Sequence, residues 1–373
     1  MSEWKEYRIS DIAEILDSRR RPLSSMERSI RKGQYPYYGA SGIIDYIDGY
    51  VFEGEHVLIS EDGENLRSRQ TPIAFLAEGQ FWVNNHAHIV KSDYVHNRLI
   101  CYYFANLDLN PFLTGAVQPK LSQESLNHIP LFLPKSLDER KEIVSILSSL
   151  DDKIDLLHRE NTTLEAMAET LFRQWFIEEA NGDDISLGEV VKTTSGGTPS
   201  RKKEEYYCNG NVKWVKSKEL HHSYILETEE KITEDAIAYS SAKLLQENSV
   251  LIAMYGATVG EYGILAEPMT CNQAVCALIP NENYPYTYLY LWAKYMQGEF
   301  INLACGAAQQ NISQELIKQQ YVSNDLKQIS DFHILVAPYM EKMKVNQEMI
   351  KTLNQMRDGL LPKLMNREVL VYG

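Results

Sequence analysis

Basic side chains accompanied by aromatic residues occur in two separate parts of the sequence. Each Lys or Arg that neutralises a phosphate releases counterions, so such clusters suit contact with a polyanion. A solvated surface is the alternative, and a cluster in both parts weakens it. The basic candidates are Arg19, Arg20, Arg21, Arg31, Lys32, Arg67, Arg69, Arg201, Lys202, Lys213, Lys216 and Lys218.

Polar side chains near predicted strands and turns form a second candidate set. A side-chain amide can both donate and accept hydrogen bonds, which matches the edge of adenine. The alternative is that these amides hold a strand or a turn together. The set consists of Tyr38, Ser41, Asn84, Asn85, Asn272 and Gln273.

Motifs for catalysis are missing from the sequence. The segment Asn110-Pro111-Phe112 lacks the second proline of the Asn-Pro-Pro-Tyr motif of adenine methyltransferases. Residues 196–200 (Gly-Gly-Thr-Pro-Ser) have neither the spacing nor the lysine of a triphosphate-binding loop. The histidines and the five cysteines are scattered, so we expect reduced thiols and neither a metal site nor a catalytic residue.

Length and charge limit the possible classes of protein. A chain of 373 residues predicts two domains. Because 51 acidic residues outnumber 37 Lys and Arg, the net charge of −14 argues by itself against a simple nucleic-acid clamp. No stretch approaches the roughly 18 uninterrupted apolar residues of a membrane span, and we expect a cytosolic protein without membrane contact.

The sequence contains an imperfect internal repeat. Four segments recur in the same order, and in each copy a serine (Ser122 or Ser313) stands where it can cap a short helix. The matched segments are 9–15 with 185–191, 56–60 with 249–253, 82–86 with 269–273, and 118–124 with 309–315. Short apolar runs between Gly and Asn turns predict a mixed α/β domain in each copy.

A long helix is predicted after each domain. Apolar positions spaced alternately four and three residues apart are typical of a coiled-coil seam, and a plain amphipathic helix is the alternative. Ser136 and Glu139 predict the start of the first helix as a capping box, and Asn181-Gly182 predicts its end. The first seam contains Leu150, Ile154, Leu157, Asn161, Leu164, Leu171 and Trp175.

The second seam is weaker than the first. We expect Pro338 at the first turn of its main helix, and Pro362 to end or kink that helix near Gly359. At about 1.5 Å per residue the first helix would reach roughly 60 Å, and the second about 30 Å before the kink. The second seam contains Met343, Ile350, Leu353, Leu360 and Leu364.

Several segments together resemble one protein family, the DNA specificity subunits of type I restriction-modification systems. The resemblance covers nearly the whole chain and depends on the order of the segments, with a helix after each domain. The segments are residues 38–43, 81–88, 150–154, 171–176, 196–200, 311–313 and 360–365.

The resemblance implies an α+β fold with two tandem target-recognition domains, separated by two long helices that pair as an antiparallel coiled coil with pseudo-twofold symmetry. The expected divisions are domain one at 1–136, the first spacer helix at 137–181, domain two at 182–328, and the second spacer helix with the C-terminal tail at 329–373.

The resemblance also implies the function and the partners. Each domain would read one half of a bipartite, asymmetric site in double-stranded DNA, and the helices would set the spacing. They would also dock two methyltransferase (modification) subunits, and restriction or motor subunits can join. This chain would bind no cofactor itself, because S-adenosylmethionine belongs to the modification subunits, which flip the target adenine.

Two other classes of function are weighed against this one. A protein-interaction scaffold would use the helical stripes to bind other helices and would hold no DNA. A self-contained nuclease or methyltransferase is disfavoured by the missing motifs. We therefore expect a non-catalytic DNA-recognition subunit.

Overall fold

The computed structural model describes residues 3–115, 117–179, 183–305, 311–366 and 368. The chain forms two compact units, residues 1–153 with 353–373 and residues 154–352. We call residues 3–134 of the first unit the first domain, and residues 183–323 of the second unit the second domain. Two long helices follow these domains, and each contributes to both units.

The first domain contains two small sheets and a strand pair. Its main sheet has the antiparallel order β2-β9-β6-β7, and its smaller sheet has the order β4-β3-β8-β5, in which β3 and β8 are parallel. The first strand pairs with the last. The strands are β1 (Trp4–Tyr7), β2 (Glu14–Ile15), β3 (Lys32–Gly39), β4 (Gly42–Ile47), β5 (Phe52–Glu53), β6 (His56–Ser60), β7 (Ala74–Ala77), β8 (Gln80–Val83), β9 (Ala87–Lys91) and β10 (Leu131–Pro134).

In the described part of this domain, five α-helices and two short 3-10 helices, Asp17–Arg19 and Asn110–Phe112, accompany these strands. Every residue of β6 is buried, and Val57 and Ile59 share a core with Leu99 and Phe104. The helices are α1 (Ile9–Ile12), α2 (Ser25–Ile30), α3 (Asn65–Ser68), α4 (Tyr94–Asn106) and α5 (Gln123–His128).

The first long helix is α6 (Leu137–Arg173), which has 37 residues. The Ser136 hydroxyl accepts the backbone N–H of Glu139 at 3.4 Å, so the predicted start of the helix is confirmed. One π-helical segment, Gln174–Glu178, follows directly. The predicted stop at Asn181-Gly182 lies outside the described residues.

The second domain repeats the topology of the first. Its main sheet has the order β12-β19-β16-β17-β14, its smaller sheet the order β15-β13-β18, and its first strand again pairs with its last. The strands are β11 (Asp184–Ser186), β12 (Lys192–Ser195), β13 (Val212–Val215), β14 (Tyr224–Ile225), β15 (Lys231–Ile232), β16 (Val250–Ala253), β17 (Tyr262–Leu265), β18 (Thr270–Cys271), β19 (Val275–Ile279) and β20 (Tyr321–Ser323). The helices are α7 (Leu187–Val190), α8 (Glu234–Ala238), α9 (Tyr286–Cys305) and α10 (Gln314–Lys318).

The central strands of the two domains match, while β5 and β14 have no counterpart among the described residues of the other domain. Strands β2, β9, β6 and β7 correspond to β12, β19, β16 and β17, and the parallel pair β3 and β8 corresponds to β13 and β18. The Ser122 hydroxyl accepts the N–H of Ser125 at the start of α5, and the Ser313 hydroxyl accepts that of Leu316 at the start of α10. The predicted repeat and both predicted caps are confirmed.

The second long helix is α11 (Leu326–Met365), whose 40 residues contradict the expected start at Pro338. The helix begins earlier because the Asp325 carboxylate accepts the N–H of Gln328 at 2.9 Å. Pro338 lies inside the helix at an exposed turn, where the carbonyl of exposed Ile334 loses its helical partner but can be solvated.

Of the two alternatives expected near Gly359, an end of the helix is wrong, because α11 continues through Pro362 to Met365. Burial of Leu361, Leu364 and Met365 in the core of the first unit outweighs the lost hydrogen bond of the proline. At about 1.5 Å per residue α11 is therefore as long as α6, not half its length.

Within the second unit, α6 and α11 pair antiparallel. Asn346 Nδ2 donates to Asn161 Oδ1 at 2.8 Å, and further along the pair Phe332 makes an edge contact with Phe176 at 5.2 Å between ring centroids. The predicted seam positions of this unit are buried or half-buried: Ile154, Leu157, Asn161, Leu164 and Leu171 of α6, Trp175 of the π-helical segment, and Met343 and Ile350 of α11.

Within the first unit, the start of α6 pairs with the end of α11. Arg357 Nη1 lies 3.0 Å from Asp151 Oδ1, and Leu364 shares a core with Ile143 and Leu147. The predicted seam positions Leu150, Leu353, Leu360 and Leu364 are again buried or half-buried. The α+β fold with tandem domains and antiparallel long helices is confirmed.

Among the described residues, no helix is both long and apolar enough to span a bilayer.

Candidate nucleic-acid interface

In the first domain, the loop between β2 and β3 carries three successive arginines. Residues 18–21 line an open cleft of about 460 Å³ together with Tyr50 and Val51. Arg19 lies over the Phe52 ring at 5.2 Å, and the Arg21 side chain is exposed without a hydrogen-bonding or ionic partner among the described residues. These two side chains are available to an external anion.

Arg20 has a different role, because its guanidinium is held inside the domain. Arg20 Nη1 lies 2.5 Å from Glu61 Oε2 and donates to the Ala87 carbonyl at 2.9 Å, and Nη2 lies 3.4 Å from Asp17 Oδ2. The side chain is 16% exposed. The structure therefore uses this predicted contact residue to fix the arginine loop to the main sheet.

A buried polar cluster lies beneath this loop. His88 Nδ1 is 2.5 Å from Asp17 Oδ2, and its Nε2 is 2.8 Å from the Leu121 carbonyl oxygen. Burial alone would raise the pKa of Asp17, but the hydrogen bonds from His88 and Ile89 and the charges of His88 and Arg20 lower it overall. Asp17, Glu61 and His88 are ligand types that metals use, but here Arg20 supplies positive charge to both carboxylates.

Arg31 and Lys32 are paired with carboxylates of the same domain. Arg31 Nη2 lies 2.7 Å from Asp48 Oδ1, and its guanidinium lies 5.1 Å from the centre of the Trp82 ring. Lys32 Nζ lies 2.7 Å from Asp45 Oδ1, and this hydrogen bond is the largest contribution that lowers the pKa of Asp45. Both cations are partly neutralised before any partner binds.

Arg67 and Arg69 lie elsewhere in the first domain. Arg69 donates to the carbonyls of Phe104 at 2.6 Å and Leu107 at 2.7 Å, and so caps the C-terminal end of α4. Arg67 donates to the Gly115 carbonyl at 3.3 Å. The structure thus gives Arg69 an intramolecular role.

The end of β3 carries one partly buried candidate, Tyr38, and the turn after it carries one exposed candidate, Ser41. Tyr38 is half-buried, with its ring 5.6 Å from that of Phe81, and burial raises the pKa of its hydroxyl. Ser41 is exposed beside Gly42, whose positive φ of 134° makes the turn between β3 and β4.

The predicted amides divide into two pairs by position. Asn84 Oδ1 accepts the N–H of His86 at 2.8 Å, and Asn272 Oδ1 accepts that of Ala274 at 3.2 Å, so both close the same turn in the two domains. The residues that follow them, Asn85 and Gln273, are exposed. The structural interpretation therefore applies to Asn84 and Asn272. Asn85 offers its side chain to the surface, whereas Oε1 of Gln273 accepts the Thr198 hydroxyl.

In the second domain, the loop between β12 and β13 carries Arg201. Its Nη1 and Nη2 donate to the two carboxylate oxygens of Glu230 at 2.5 and 3.1 Å. The guanidinium lies 4.3 Å from the centre of the Tyr207 ring and 5.2 Å from that of Trp214. Lys202, next to it, is exposed and makes no ion pair with a described residue.

The lysines around Trp214 are also paired. Lys216 Nζ contacts Glu230 and lies 3.3 Å from Glu229, and Lys218 Nζ lies 2.8 Å from Glu229. Hydrogen bonding from Arg201, supported by Lys216, lowers the pKa of Glu230 to about 2. Lys213 Nζ lies 2.7 Å from Glu267 and 3.5 Å from Glu227.

A tryptophan N–H anchors the arginine loop of each domain, although Trp82 lies on β8 and Trp214 lies on β13, and these two strands do not correspond. Trp82 Nε1 donates to the Arg21 carbonyl at 2.5 Å, and Trp214 Nε1 donates to the Gly197 carbonyl at 3.0 Å. The loops occupy equivalent positions in the repeated topology, and in each case an arginine lies over the tryptophan ring.

A family model, the type I restriction modification DNA specificity domain, matches residues 1–166 and 181–324. The chain belongs to this DNA specificity family.

The relatives of this family differ in how much of their length is matched. The specificity subunit of the enzyme MjaIX from Methanocaldococcus jannaschii is 24% identical over 99% of this chain and 94% of its own length. A putative specificity subunit from Haemophilus influenzae is 40% identical, but the match spans 40% of this chain and 37% of that protein. The EcoR124I/EcoR124II subunit of Escherichia coli is 31% identical over 51% of this chain and 49% of that protein.

A solved structure supports the fold of this family member. The type I restriction-modification S subunit from M. genitalium covers 97% of this chain and 96% of its own, with a TM-score of 0.67 at 14% identity. At that identity the similarity concerns the fold alone.

The carboxylates that pair with the family member's basic loops were missed from sequence. Asp45, Asp48, Glu229 and Glu230 lie in other segments, and 29 residues separate Glu230 from Arg201. Tyr50 in the first cleft was missed too. The acidic run at 227–230 was visible as a charge cluster, but its partners depend on the pairing of β13 with β15.

Proposed function

We propose that this chain recognises DNA sequence for a type I restriction-modification complex, with each domain reading one half of a bipartite, asymmetric site. The observation that carries the proposal is the repeated loop: the same topology presents an arginine loop, anchored by a tryptophan N–H, in both domains of a DNA specificity family member. Such activity belongs in the cytoplasm, where chromosomal and invading DNA meet.

The chemistry of the exposed side chains divides the task. Arg19, Arg21 and Lys202 would contact phosphates, which position a protein on DNA without reading its sequence. Asn85 and Gln273 would face base edges, because each is the exposed residue next to a turn-closing amide. The Gln273 oxygen already accepts the Thr198 hydroxyl, so Gln273 would offer its side-chain N–H groups. Local positive charge at these loops is compatible with a net charge of −14 over the whole chain.

The paired helices would set the spacing between half-sites and dock two modification subunits. Large apolar side chains remain exposed on both helices, and such side chains are typical of protein interfaces. They include Leu156 and Met167 on α6, and Val345 and Met349 on α11. The modification subunits would hold S-adenosylmethionine, restriction subunits would join them, and this chain would act as a non-catalytic subunit.

The test is a footprint of the reconstituted complex with its modification subunits on DNA that carries its methylation site. We expect two protected half-sites separated by an unread spacer, with binding that weakens as salt increases. Protection of one continuous half-site would overturn the bipartite proposal. DNA affinity that survives charge reversal at Arg19, Arg21 and Lys202 would instead favour the protein-interaction scaffold.

A further inference from the structure

We propose that Glu229 and Glu230 screen three cations of the second domain, Arg201, Lys216 and Lys218, so that only DNA with the correct site displaces the two carboxylates. This inference rests on the proposed DNA function and concerns the regulation of that same surface. It makes two acidic residues determinants of specificity, although neither would contact the target itself.

The geometry places two carboxylates over three cations. Both oxygens of Glu230 are engaged by Arg201, and Lys216 shares one of them. Glu229 lies 3.3 Å from Lys216 and 2.8 Å from Lys218. The Glu229 N–H donates to Glu219 Oε1 at 2.7 Å, which fixes the acidic segment in this position.

Glu230 occupies the edge of Arg201 that recognition would need. The two terminal nitrogens of a guanidinium form the fork that binds a phosphate or the O6 and N7 atoms of guanine. In the free chain that fork is filled by the carboxylate. A DNA group can reach it only after Glu230 leaves.

The aromatic rings would keep Arg201 in place during this exchange. The guanidinium lies over the rings of Tyr207 and Trp214, 4.3 and 5.2 Å from their centres, and neither contact involves Glu230. The cation would therefore be positioned for DNA as soon as the carboxylate moves away.

The ion pairs are exposed enough to exchange. The side chains of Arg201 and Glu230 are 54% and 32% exposed, and those of Lys218 and Glu229 are 58% and 54% exposed. Lys216 is the least exposed of the cations, at 18%. Exposed pairs are weak, so phosphates together with base contacts can replace them. DNA without the site offers phosphates but no matching base contacts, so replacing the ion pairs is less favourable for it. The two carboxylates therefore weaken the binding of non-cognate DNA more than that of cognate DNA.

The experiment compares Glu230→Gln with Glu282→Gln in the full complex with modification subunits. Glu282 is an exposed acid of the same domain without an ion pair to a described residue, so its substitution controls for the loss of one negative charge. Dissociation constants are measured for a duplex that contains the methylation site and for one of equal length without it, over a series of KCl concentrations.

For Glu230→Gln we expect non-cognate affinity to rise about five- to tenfold, with a salt slope steeper by about 1 to 2, while cognate affinity changes less. Behaviour equal to that of Glu282→Gln would overturn the screen. Loss of cognate affinity without a gain on non-cognate DNA would also overturn it, since Glu230 would then position Arg201 instead.

Arg201→Ala separates the screen from the function on which it rests. If this variant weakens cognate binding while Glu230→Gln matches its control, only the screen fails. If Arg201→Ala leaves cognate binding unchanged, the proposed DNA contact of this loop fails as well.

Discussion

Trp82 Nε1 donates to the carbonyl oxygen of Arg21 at 2.5 Å, which ties the arginine loop of the first domain to strand β8. The ring itself is 7% exposed and supports Arg31 on its face. The buried Trp82 side chain thus holds the arginine loop through its N–H group and contacts the Arg31 guanidinium with the face of its ring.

The substitution Trp82→Phe keeps an aromatic ring but removes the donor. We expect a loss of about 1 kcal/mol in the free energy of unfolding and weaker protection of one half-site, because the loop loses its anchor. Denaturant unfolding and footprinting of the assembled complex measure the two effects. Trp214→Phe is the matched control and should weaken the other half-site. If both variants affect the same half-site, the assignment of one domain to each half is wrong.

The caps and the repeat were predictable because their signals are local. Ser122 and Ser313 each bind an N–H three residues away, and the strand order follows from similar segments in similar order. The start of α11 was predictable as well, since Asp325 is a good N-cap residue. The prediction placed the start at Pro338 instead, because proline is favoured in the first turn of a helix.

The pairing of the cations could not be predicted in the same way. Arg31 meets Asp48, and Arg201 meets Glu230, only because strand pairing brings distant segments together. A basic run in the sequence therefore overstates the free positive charge of the surface. Arg69 shows the same limit, since its carbonyl partners belong to the end of α4, more than 30 residues away.

The buried asparagine pair between the long helices provides a second prediction. Asn346 is fully buried and donates to Asn161 and to Glu160 at 3.0 Å. Asn346→Leu alone should lower the free energy of unfolding by about 1 to 3 kcal/mol, because it removes the amide that donates hydrogen bonds to the oxygens of Asn161 and Glu160. The double variant with Asn161→Leu should recover part of this loss. A double-mutant cycle by chemical denaturation measures the coupling, which we expect to be at least about 0.5 kcal/mol. Additive effects would show that the two amides act independently.

The course of α11 beyond Pro362 leads to a third prediction. Leu364 is 2% exposed in the core of the first unit, and Leu364→Ala should cost about 2 to 4 kcal/mol. Met356→Ala, on the same helix but 50% exposed, should change stability by no more than about 0.5 kcal/mol. Equal effects of the two substitutions in thermal or denaturant unfolding would contradict the burial of the helix end.

The cluster beneath the first arginine loop predicts a dependence of stability on pH. Burial raises the pKa of both Asp17 and Glu61, but the favourable contacts from His88 and Arg20 lower it overall. A lowered folded-state pKa contributes stability that is present above the unfolded values of about 3.8 and 4.5 and is lost as the pH falls below them. Asp17→Asn should lower the free energy of unfolding by about 3 kcal/mol near neutral pH. It should also flatten the dependence of stability on pH between about pH 6 and 3, measured as the urea midpoint at each pH. Glu3→Gln, an exposed partner of Lys135, is the control and should change the profile less. If the stability of Asp17→Asn depends on pH as steeply as that of the unmodified chain, this cluster is not the source of the pH dependence.

Arg21 and Arg69 should separate in two assays, although both belong to the basic candidates found in the sequence. Arg21 has no ionic partner among the described residues, so Arg21→Ala should reduce the slope of log affinity against log salt by about 1 and leave unfolding unchanged. Arg69 binds three backbone carbonyls at the end of α4, so Arg69→Ala should lower stability by about 1 to 3 kcal/mol and leave the salt slope unchanged. Arg69→Lys cannot reproduce the fork of donors and should recover only part of the stability. If Arg69→Ala changes the salt slope as Arg21→Ala does, its guanidinium reaches DNA in the complex, and the contacts to α4 are exchanged on binding.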